Sequence, residues 1–200
     1  MREPLDGIVT TDLLATRPTR PRQLEREIEA LLEIGCQMAR ARSDILRRIA
    51  TIAMMQCKAE SAGFSILETD KHAQDVFRWV GTCGVMAQFA GGTTPSSFSP
   101  CGVCLERNSP QLFHYPERFY PYLQPIAPVA ELLLIPMHDG IAWVGTIWII
   151  SHSGRRKFDS EDARLMHDLG VLACAALAAS TPSSRAPARK SPKRRTPERA

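Results

Sequence analysis

The most chemically suggestive motif of this sequence is a pair of cysteines, Cys101 and Cys104, separated by Gly102 and Val103. This spacing is typical of a dithiol redox pair. The residues that follow predict a short helix over about 102–107, and Cys101 then lies at its N-terminus, where the helix dipole lowers the pKa of a thiol. In the alternative, structural interpretation, Cys104 packs inward and Cys101 lines a pocket.

A metal site is not predicted from these cysteines. Structural zinc takes four ligands, and Cys83 and His114 could join Cys101 and Cys104 only if folding happened to bring them together. The sequence identifies no cofactor.

The histidines provide no catalytic arrangement that can be identified from their spacing. They lie at five separated positions: His72, His114, His138, His152 and His167. No Ser–His–Asp arrangement, Gly-rich phosphate loop or paired acidic motif accompanies them. Of the five, only His114 falls in the long irregular segment of the chain and is expected to contribute to a pocket. We therefore expect a sensory or binding role rather than an enzyme.

The positive charge of the chain is confined to its C-terminal end. Residues 181–200 contain seven Lys or Arg and one Glu, a net charge of +6, so that residues 1–180 carry −2 of the total of +4. Such a tail is expected to be disordered. It favours solubility or docking on an acidic partner; nucleic-acid binding is the alternative, although the tail lacks aromatic residues for base stacking.

Cysteine usage and hydropathy predict a cytoplasmic protein. Cys36, Cys57 and Cys174 lie in apolar, helix-like patterns, where cysteine behaves as a small buried hydrophobe, and the N-terminal residues do not resemble a secretory signal. The longest apolar runs, 141–150 and 169–179, are shorter than the ~20 residues that a membrane-spanning helix needs.

Three regions can be distinguished along the chain. Residues 1–21 contain scattered prolines and predict a flexible N-terminal arm, residues 22–179 an ordered domain, and residues 180–200 a disordered basic tail. The domain begins with a helix whose apolar residues follow a heptad-like seam: Leu24, Ile28, Leu31, Gly35 and Met38.

The rest of the domain alternates between strand and helix patterns. Ser43 is expected to cap a second helix, and Asp159 a last helix that extends to about residue 178. Strands are predicted over Ala62–Leu67, Val76–Val85, Gln111–His114, Glu131–Met137 and Ile141–Ser151. Residues 86–130, called the cassette below, are rich in proline, and an irregular stretch of this length is often functional.

This order of elements resembles that of a GAF domain. The resemblance covers about residues 24–178 and is most specific in Glu131–Ser151 followed by Phe158–Leu169, with a second piece in Phe98–Leu105 and Pro116–Arg118. The second piece is similar to bacterial sensor modules that are often joined to histidine kinases. The resemblance implies an α+β fold, in which a central antiparallel sheet carries the terminal helices on one face and the cassette on the other.

The resemblance also implies a ligand pocket beneath the cassette and a dimer surface on the terminal helices. The residues that we assign to the pocket are Trp79, Phe98, Cys101, Phe113, His114 and Leu133. The residues that we assign to the dimer seam are Leu24, Ile28, Leu31, Leu169 and Leu172. The chain is thus expected to be a homodimeric sensory domain, which binds a small molecule or a protein partner such as a histidine kinase. A thiol-dependent reductase and a DNA-tethered accessory protein are the alternatives.

Overall fold

A six-stranded antiparallel sheet lies at the centre of the part of the chain that the computed structural model describes, residues 5–40, 44–126 and 128–180. Its strands are Ser61–Thr69 (β1), Asp75–Gly84 (β2), Thr93–Pro95 (β3), Gln111–His114 (β4), Glu131–His138 (β5) and Trp143–Ser151 (β6). They follow the order β3-β2-β1-β6-β5-β4. The predicted sheet is confirmed. The short edge strand β3 was not predicted, because a proline such as Pro95 is typical of irregular structure.

Six α-helices accompany the sheet in the described part of the chain, together with three 3-10 helices, Val85–Phe89, Pro116–Arg118 and Pro121–Leu123. The α-helices are Leu5–Ile8 (α1), Leu13–Thr16 (α2), Leu24–Arg40 (α3), Ile45–Gln56 (α4), Pro100–Arg107 (α5) and Ser160–Ser180 (α6). Asp159 caps α6 as predicted, because its carboxylate accepts hydrogen bonds from the N–H groups of Glu161 and Asp162 at 2.9 and 3.1 Å. Ser43 and the basic tail from residue 181 onward lie outside the described residues.

The two faces of the sheet carry separate cores. Side chains alternate along β5, so that Leu133 and Ile135 belong to the core under α4 and α6, whereas Leu132 and Leu134 belong to the core under the cassette. Helix α3 packs on α4 as an outer layer. This is the predicted α+β arrangement, with the terminal helices on one face and the cassette on the other.

The N-terminal segment packs closely against the domain. Ile8 is buried in the cassette-side core and Leu14 in the helix-side core. Between them, Val9 forms a bridge with Phe113, and the N–H of Thr10 donates to the carbonyl of Leu112 at 2.8 Å. The prediction of a flexible arm over residues 1–21 was therefore wrong for residues 5–21. The segment covers the free edge of β4, an interaction between residues about 100 positions apart that local composition does not reveal.

No described helix has both the length and the apolar character needed to cross a bilayer.

Candidate functional site

A partly open cavity of about 50 Å³ lies between the sheet and the cassette. Strands β1, β2, β5 and β6 provide its floor, and α5 with the following loops provides its cover. The side chains that line it are almost all apolar: Ser65, Trp79, Met86, Thr94, Pro100, Cys101, Pro116, Tyr122, Leu123, Ile126, Val129, Leu132, Leu134, Trp148 and Ile150. The cavity is the candidate functional site.

Cys101 reaches the cavity from the first turn of α5. The side chain of Ser99 caps this helix by accepting a hydrogen bond from the N–H of Gly102 at 3.1 Å. A Cβ atom at Gly102 would lie 2.1 Å from the carbonyl oxygen of Ser96, so this position has no room for a side chain. The close approach of the loop to the helix therefore explains the glycine between the two cysteines without any redox role.

Burial dominates the behaviour of both thiols. Desolvation raises the pKa of Cys101, and the nearby hydroxyls of Ser65 and Thr146 offset this only in part. Desolvation also raises the pKa of Cys104 well above its ordinary value, and the neighbouring Cys101 adds to this. The expectation that the helix N-terminus lowers the pKa of Cys101 was wrong, because the loss of water around the thiol outweighs the dipole. At neutral pH both groups are thiols, which are poor nucleophiles.

A small polar patch interrupts the apolar floor of the cavity. Ser65 of β1 lies directly opposite Thr146 of β6 in the sheet. The indole N–H of Trp148 donates to the hydroxyl of Ser65 at 3.1 Å. The hydroxyl oxygen of Thr146 is buried and has no hydrogen-bond partner among the N and O atoms of the described residues. Ser65 and Cys101 line the cavity, whereas Thr146 lies beside Cys101 and is not among the lining residues.

Aromatic rings form the outer wall of the site. Phe98 and Tyr120 pack with their ring centroids 5.0 Å apart, and Phe119 packs edge-on against Tyr120 at 4.9 Å. Tyr122, which lines the cavity, donates its hydroxyl to the carbonyl of Phe98 at 3.0 Å. Desolvation raises the pKa of Tyr120 to about 12. The cluster therefore contributes no charge to the site at neutral pH.

The predicted pocket residues fall into three groups. Trp79 and Cys101 line the cavity. Phe98 and Phe113 belong to the same cassette-side core but do not line the cavity. Leu133 faces the opposite side of the sheet, in the core under the helices. The assignment of Leu133 to the pocket was wrong. Odd and even residues of a strand face opposite sides of the sheet, and in a continuously apolar strand the sequence does not show which of them face the pocket.

His114 was also wrongly assigned to the pocket. Its Nε2 lies 2.9 Å from a carboxylate oxygen of Glu131 and 3.4 Å from a guanidinium nitrogen of Arg17. The imidazole is thus held by an ionic cluster at the end of β5 instead of facing a ligand space.

Glu131 is the centre of that cluster and is fully buried. Arg17 binds its carboxylate through two nitrogens at 2.8 and 3.0 Å, the N–H of Phe158 donates at 2.9 Å, and Lys157 lies 3.1 Å away. Burial by itself raises the pKa of Glu131, but the hydrogen bonds from Arg17, Phe158 and Lys157 outweigh burial and lower it. Glu131 therefore joins the N-terminal segment, β5 and the start of α6.

A second buried carboxylate, Asp162, behaves in the opposite way. It pairs with Arg20 at 3.0 Å and with Arg156. Burial raises its pKa, and the hydrogen bond from the N–H of Asp159 and the two arginines offset this only in part. Sequence analysis identified neither cluster, since Arg17 and Arg20 lie more than 100 residues from their carboxylate partners.

A second groove, of about 240 Å³, lies between the end of β5, the loop after α5, and α6. His138, His167 and Cys174 are among its lining residues. Among the described residues, no three His, Cys, Asp or Glu side chains are grouped so as to hold a metal ion.

Helix α3 presents an apolar surface to solvent. Leu24, Ile28 and Leu31, three of the predicted seam residues, are 53%, 48% and 45% exposed, and Leu32 beside them is 65% exposed. The other two predicted seam residues, Leu169 and Leu172, pack in or against the helix-side core. Leu169 is fully buried, so its assignment to an exposed seam was wrong: the apolar stripe of α6 faces the sheet.

No protein family matches the sequence in a family scan, and no curated protein matches it. Solved structures do match. The GAF domain of a phosphoenolpyruvate-protein phosphotransferase from Acinetobacter is 12% identical, with a TM-score of 0.64, over 80% of this chain and 95% of that chain. The second GAF domain of DevS from Mycobacterium smegmatis is 18% identical, with a TM-score of 0.52, over 70% of this chain and 93% of that chain.

An enzyme shares the same architecture. The free methionine-R-sulfoxide reductase of Neisseria meningitidis, solved with its substrate, is 14% identical, with a TM-score of 0.63, over 82% of this chain and 95% of that chain. At such low identities the likeness concerns the fold alone. The six-stranded antiparallel sheet, its helices and these matches together show that the chain has the GAF-domain fold.

Proposed function

We propose that this domain is a sensory or regulatory module that binds a small molecule in the cavity between the sheet and the cassette. The observation that carries the proposal is the cavity itself, a partly open apolar space whose few polar lining residues include Ser65, Thr94 and Cys101. Binding sites for small molecules are typically concave and apolar, with a few polar groups that orient the ligand.

The size of the cavity favours either a very small ligand or an opening of the cassette. Its volume of about 50 Å³ is below the roughly 300–1,000 Å³ that is usual for drug-sized ligands. Tyr122, Leu123 and Ile126 cover the cavity from short turns and loops, not from long helices. Movement of this cover would admit a larger molecule while leaving the sheet intact.

The exposed surface of α3 supports a role for a second copy of the chain. Leu24, Ile28, Leu31 and Leu32 form an apolar stripe, whereas Ala30 and Ile34 on the opposite side of the helix are buried within the chain. Two such stripes would bury each other in a symmetric dimer. Because α3 packs on α4, and α4 packs on β1 and β2, which carry Ser65 and Trp79, ligand binding could alter this interface.

Native mass spectrometry of the purified chain tests the first part of the proposal. We expect a co-purifying small molecule in the wild type and its loss in Ile150→Phe, in which the larger ring fills the cavity. Val171→Phe on the exposed side of α6 serves as a control and should retain the ligand. If Ile150→Phe retains the ligand, the cavity is not its binding site.

Light scattering after size exclusion tests the second part. We expect a dimer for the wild type and a monomer for the double variant Ile28→Glu, Leu31→Glu, because buried unpaired charges cost several kcal/mol, about 3–5 by analogy with broken buried pairs. Ile141→Glu, at a 92% exposed position of the β5–β6 hairpin, is the control and should stay dimeric. A wild-type monomer would remove the dimer from the proposal.

The cytoplasmic location and a histidine kinase partner stay predictions, and nucleic-acid binding by the tail stays the alternative to docking on an acidic partner. Burial raises the pKa of Cys101, which argues against the reductase alternative because a reactive cysteine needs a thiolate. The thiol measurement described in the Discussion tests this alternative.

A further inference from the structure

The lining of the cavity contains no group that carries a charge at neutral pH. Arg, Lys, Asp, Glu and His are all absent from its walls among the described residues. The two titratable groups that do line it, Cys101 and Tyr122, have pKa values that desolvation raises. A charged ligand would therefore lose its hydration in the cavity without gaining a counter-charge.

The two buried carboxylate clusters described above are already satisfied from within the chain. Glu131 forms an ion pair with Arg17, and Asp162 forms one with Arg156. Successive side chains of β5 point to opposite faces of the sheet. Leu132 and Leu134 therefore line the cavity, whereas Glu131 binds the segment before α6. These ions are not available to compensate a charged ligand.

The polar patch of the floor has unused hydrogen-bond capacity. Ser65 accepts from the indole of Trp148, and its own hydroxyl hydrogen has no N or O acceptor among the described residues. The hydroxyl of Thr146, opposite Ser65 on β6, is buried and likewise has no N or O partner among the described residues. The sulfur of Cys101, which neighbours both, is only a weak acceptor. A buried hydroxyl without a partner is unfavourable, and a ligand atom that accepts its hydrogen bond removes this cost.

We propose that the cavity takes an uncharged, compact and mostly apolar molecule that carries one hydrogen-bond acceptor, such as a carbonyl oxygen, directed at the hydroxyl of Ser65. This inference rests on the proposed function of the cavity as a ligand site and adds the chemical class of the ligand. Apolar contact with Leu132, Leu134 and Trp148 supplies most of the affinity, and the acceptor fixes the orientation.

Tryptophan indoles provide local probes for the test. Trp79 and Trp148 line the cavity, whereas Trp143 lies in the separate groove, where it packs on His138 with ring centroids 4.9 Å apart. In the full chain labelled with nitrogen-15 on tryptophan, the indole signals of Trp79 and Trp148 report the cavity and that of Trp143 reports the other groove.

Acetone, acetate and isobutene are the probes, because they share one compact shape and differ in charge and in the acceptor. This size suits a cavity smaller than the ~150 Å³ that holds benzene. We expect acetone to shift the signals of Trp79 and Trp148 but not that of Trp143, with an apparent Kd at least about tenfold lower than that of acetate, whose charge is not compensated. In Ser65→Ala, the preference for acetone over isobutene should fall severalfold, whereas Thr146→Val, beside the lining but not part of it, should retain this preference.

The outcomes separate this inference from the function on which it rests. If acetate shifts the cavity signals as strongly as acetone, the cavity binds ligands but the inference of an uncharged class is overturned. An unchanged preference for acetone in Ser65→Ala overturns the role of Ser65. If none of the probes shifts Trp79 or Trp148, and no molecule co-purifies with the wild type, both the inference and the proposed function are overturned.

Discussion

The two faces of the central sheet are covered in different ways, and only one of them borders the candidate binding cavity. Helices α4 and α6 cover one face with regular apolar stripes, and their core is largely aliphatic. The cassette covers the other face with a short helix, 3-10 turns and loops, and its core is rich in aromatic rings. The same strands supply both cores through alternate residues.

This contrast shows how a single sheet can combine stability with binding. Helices present side chains at regular intervals that interdigitate with a sheet, and the groove that remains between β5 and α6 has polar as well as apolar walls. The proline-rich cassette cannot form long regular elements, and its larger side chains leave the cavity of about 50 Å³. We therefore expect substitutions on the helix side to affect mainly stability and substitutions on the cassette side to affect mainly binding.

The largest expected effect is that of Glu131→Ala at the end of β5. Removing this fully buried carboxylate leaves Arg17 and Lys157 without their common partner. Breaking a buried ion pair in this way costs about 3–5 kcal/mol of unfolding free energy, which urea unfolding followed by circular dichroism would measure. The control is Glu68→Ala, which breaks the partly exposed pair with Arg78 and should cost less than about 1 kcal/mol. Equal costs would refute the structural role of Glu131.

The same carboxylate should make stability depend on pH. Because its pKa in the folded chain is lowered below the ordinary value of 4.5, Glu131 contributes stability that is present above that value and is lost as pH falls through the folded-state pKa. Glu131→Gln should therefore flatten the acid side of the melting-temperature profile. Asp162, whose pKa burial raises, contributes with the opposite sign, so Asp162→Asn should not flatten this side of the profile. An unchanged acid slope in Glu131→Gln would contradict the assignment.

A smaller but sharper contrast comes from two adjacent leucines of β5. Leu133 and Leu134 are both fully buried, but they face the helix side and the cavity respectively. Leucine-to-alanine substitutions in cores cost about 2–5 kcal/mol. We expect Leu133→Ala near the upper end and Leu134→Ala near the lower end, because Leu134 borders open space and loses fewer contacts. Urea unfolding of both variants tests this; a larger cost for Leu134→Ala would contradict it.

The regular part of the fold was predictable because local patterns determine it. The alternation in Ala62–Leu67 and Val76–Val85 corresponds to β1 and β2, and Asp159 caps α6 as its position suggested. The fold class followed from the resemblance of this order of elements to a GAF domain. What failed was the choice of face for Leu133, since every residue from Glu131 to Ile135 in β5 is buried and the alternation is hidden in the sequence.

Interactions between distant residues were not predictable. Arg17, Arg20 and His114 are ordinary polar residues in the sequence, and only the fold brings them to Glu131 and Asp162. The polar patch at the cavity likewise joins Ser65 and Thr146 from two different strands. Of the predicted pocket residues, Trp79 and Cys101 were identified because an aromatic residue on a strand and a cysteine at a helix start carry local signals.

The last prediction concerns the thiols. It involves the smallest expected effect on stability, and the reactivity of the thiols distinguishes a binding role from a catalytic one. Cys36 is exposed on α3, whereas the other five cysteines are buried. With a disulfide reagent at neutral pH, we expect Cys36 alone to react in the native chain and the remaining thiols to react after denaturation. Cys36→Ser should abolish the native reaction, with a change in unfolding free energy within about 0.5 kcal/mol.

The pH dependence of this reaction adds a second criterion. Because burial raises the pKa of Cys101 and of Cys104, any native reaction of these thiols in Cys36→Ser should increase only above the range in which a free cysteine, with a pKa near 8.5, ionises. Cys101→Ser in the same background identifies the responsible group. A rapid reaction of Cys101 near neutral pH would instead restore the reductase hypothesis, and with it a catalytic role for the face that we assign to binding.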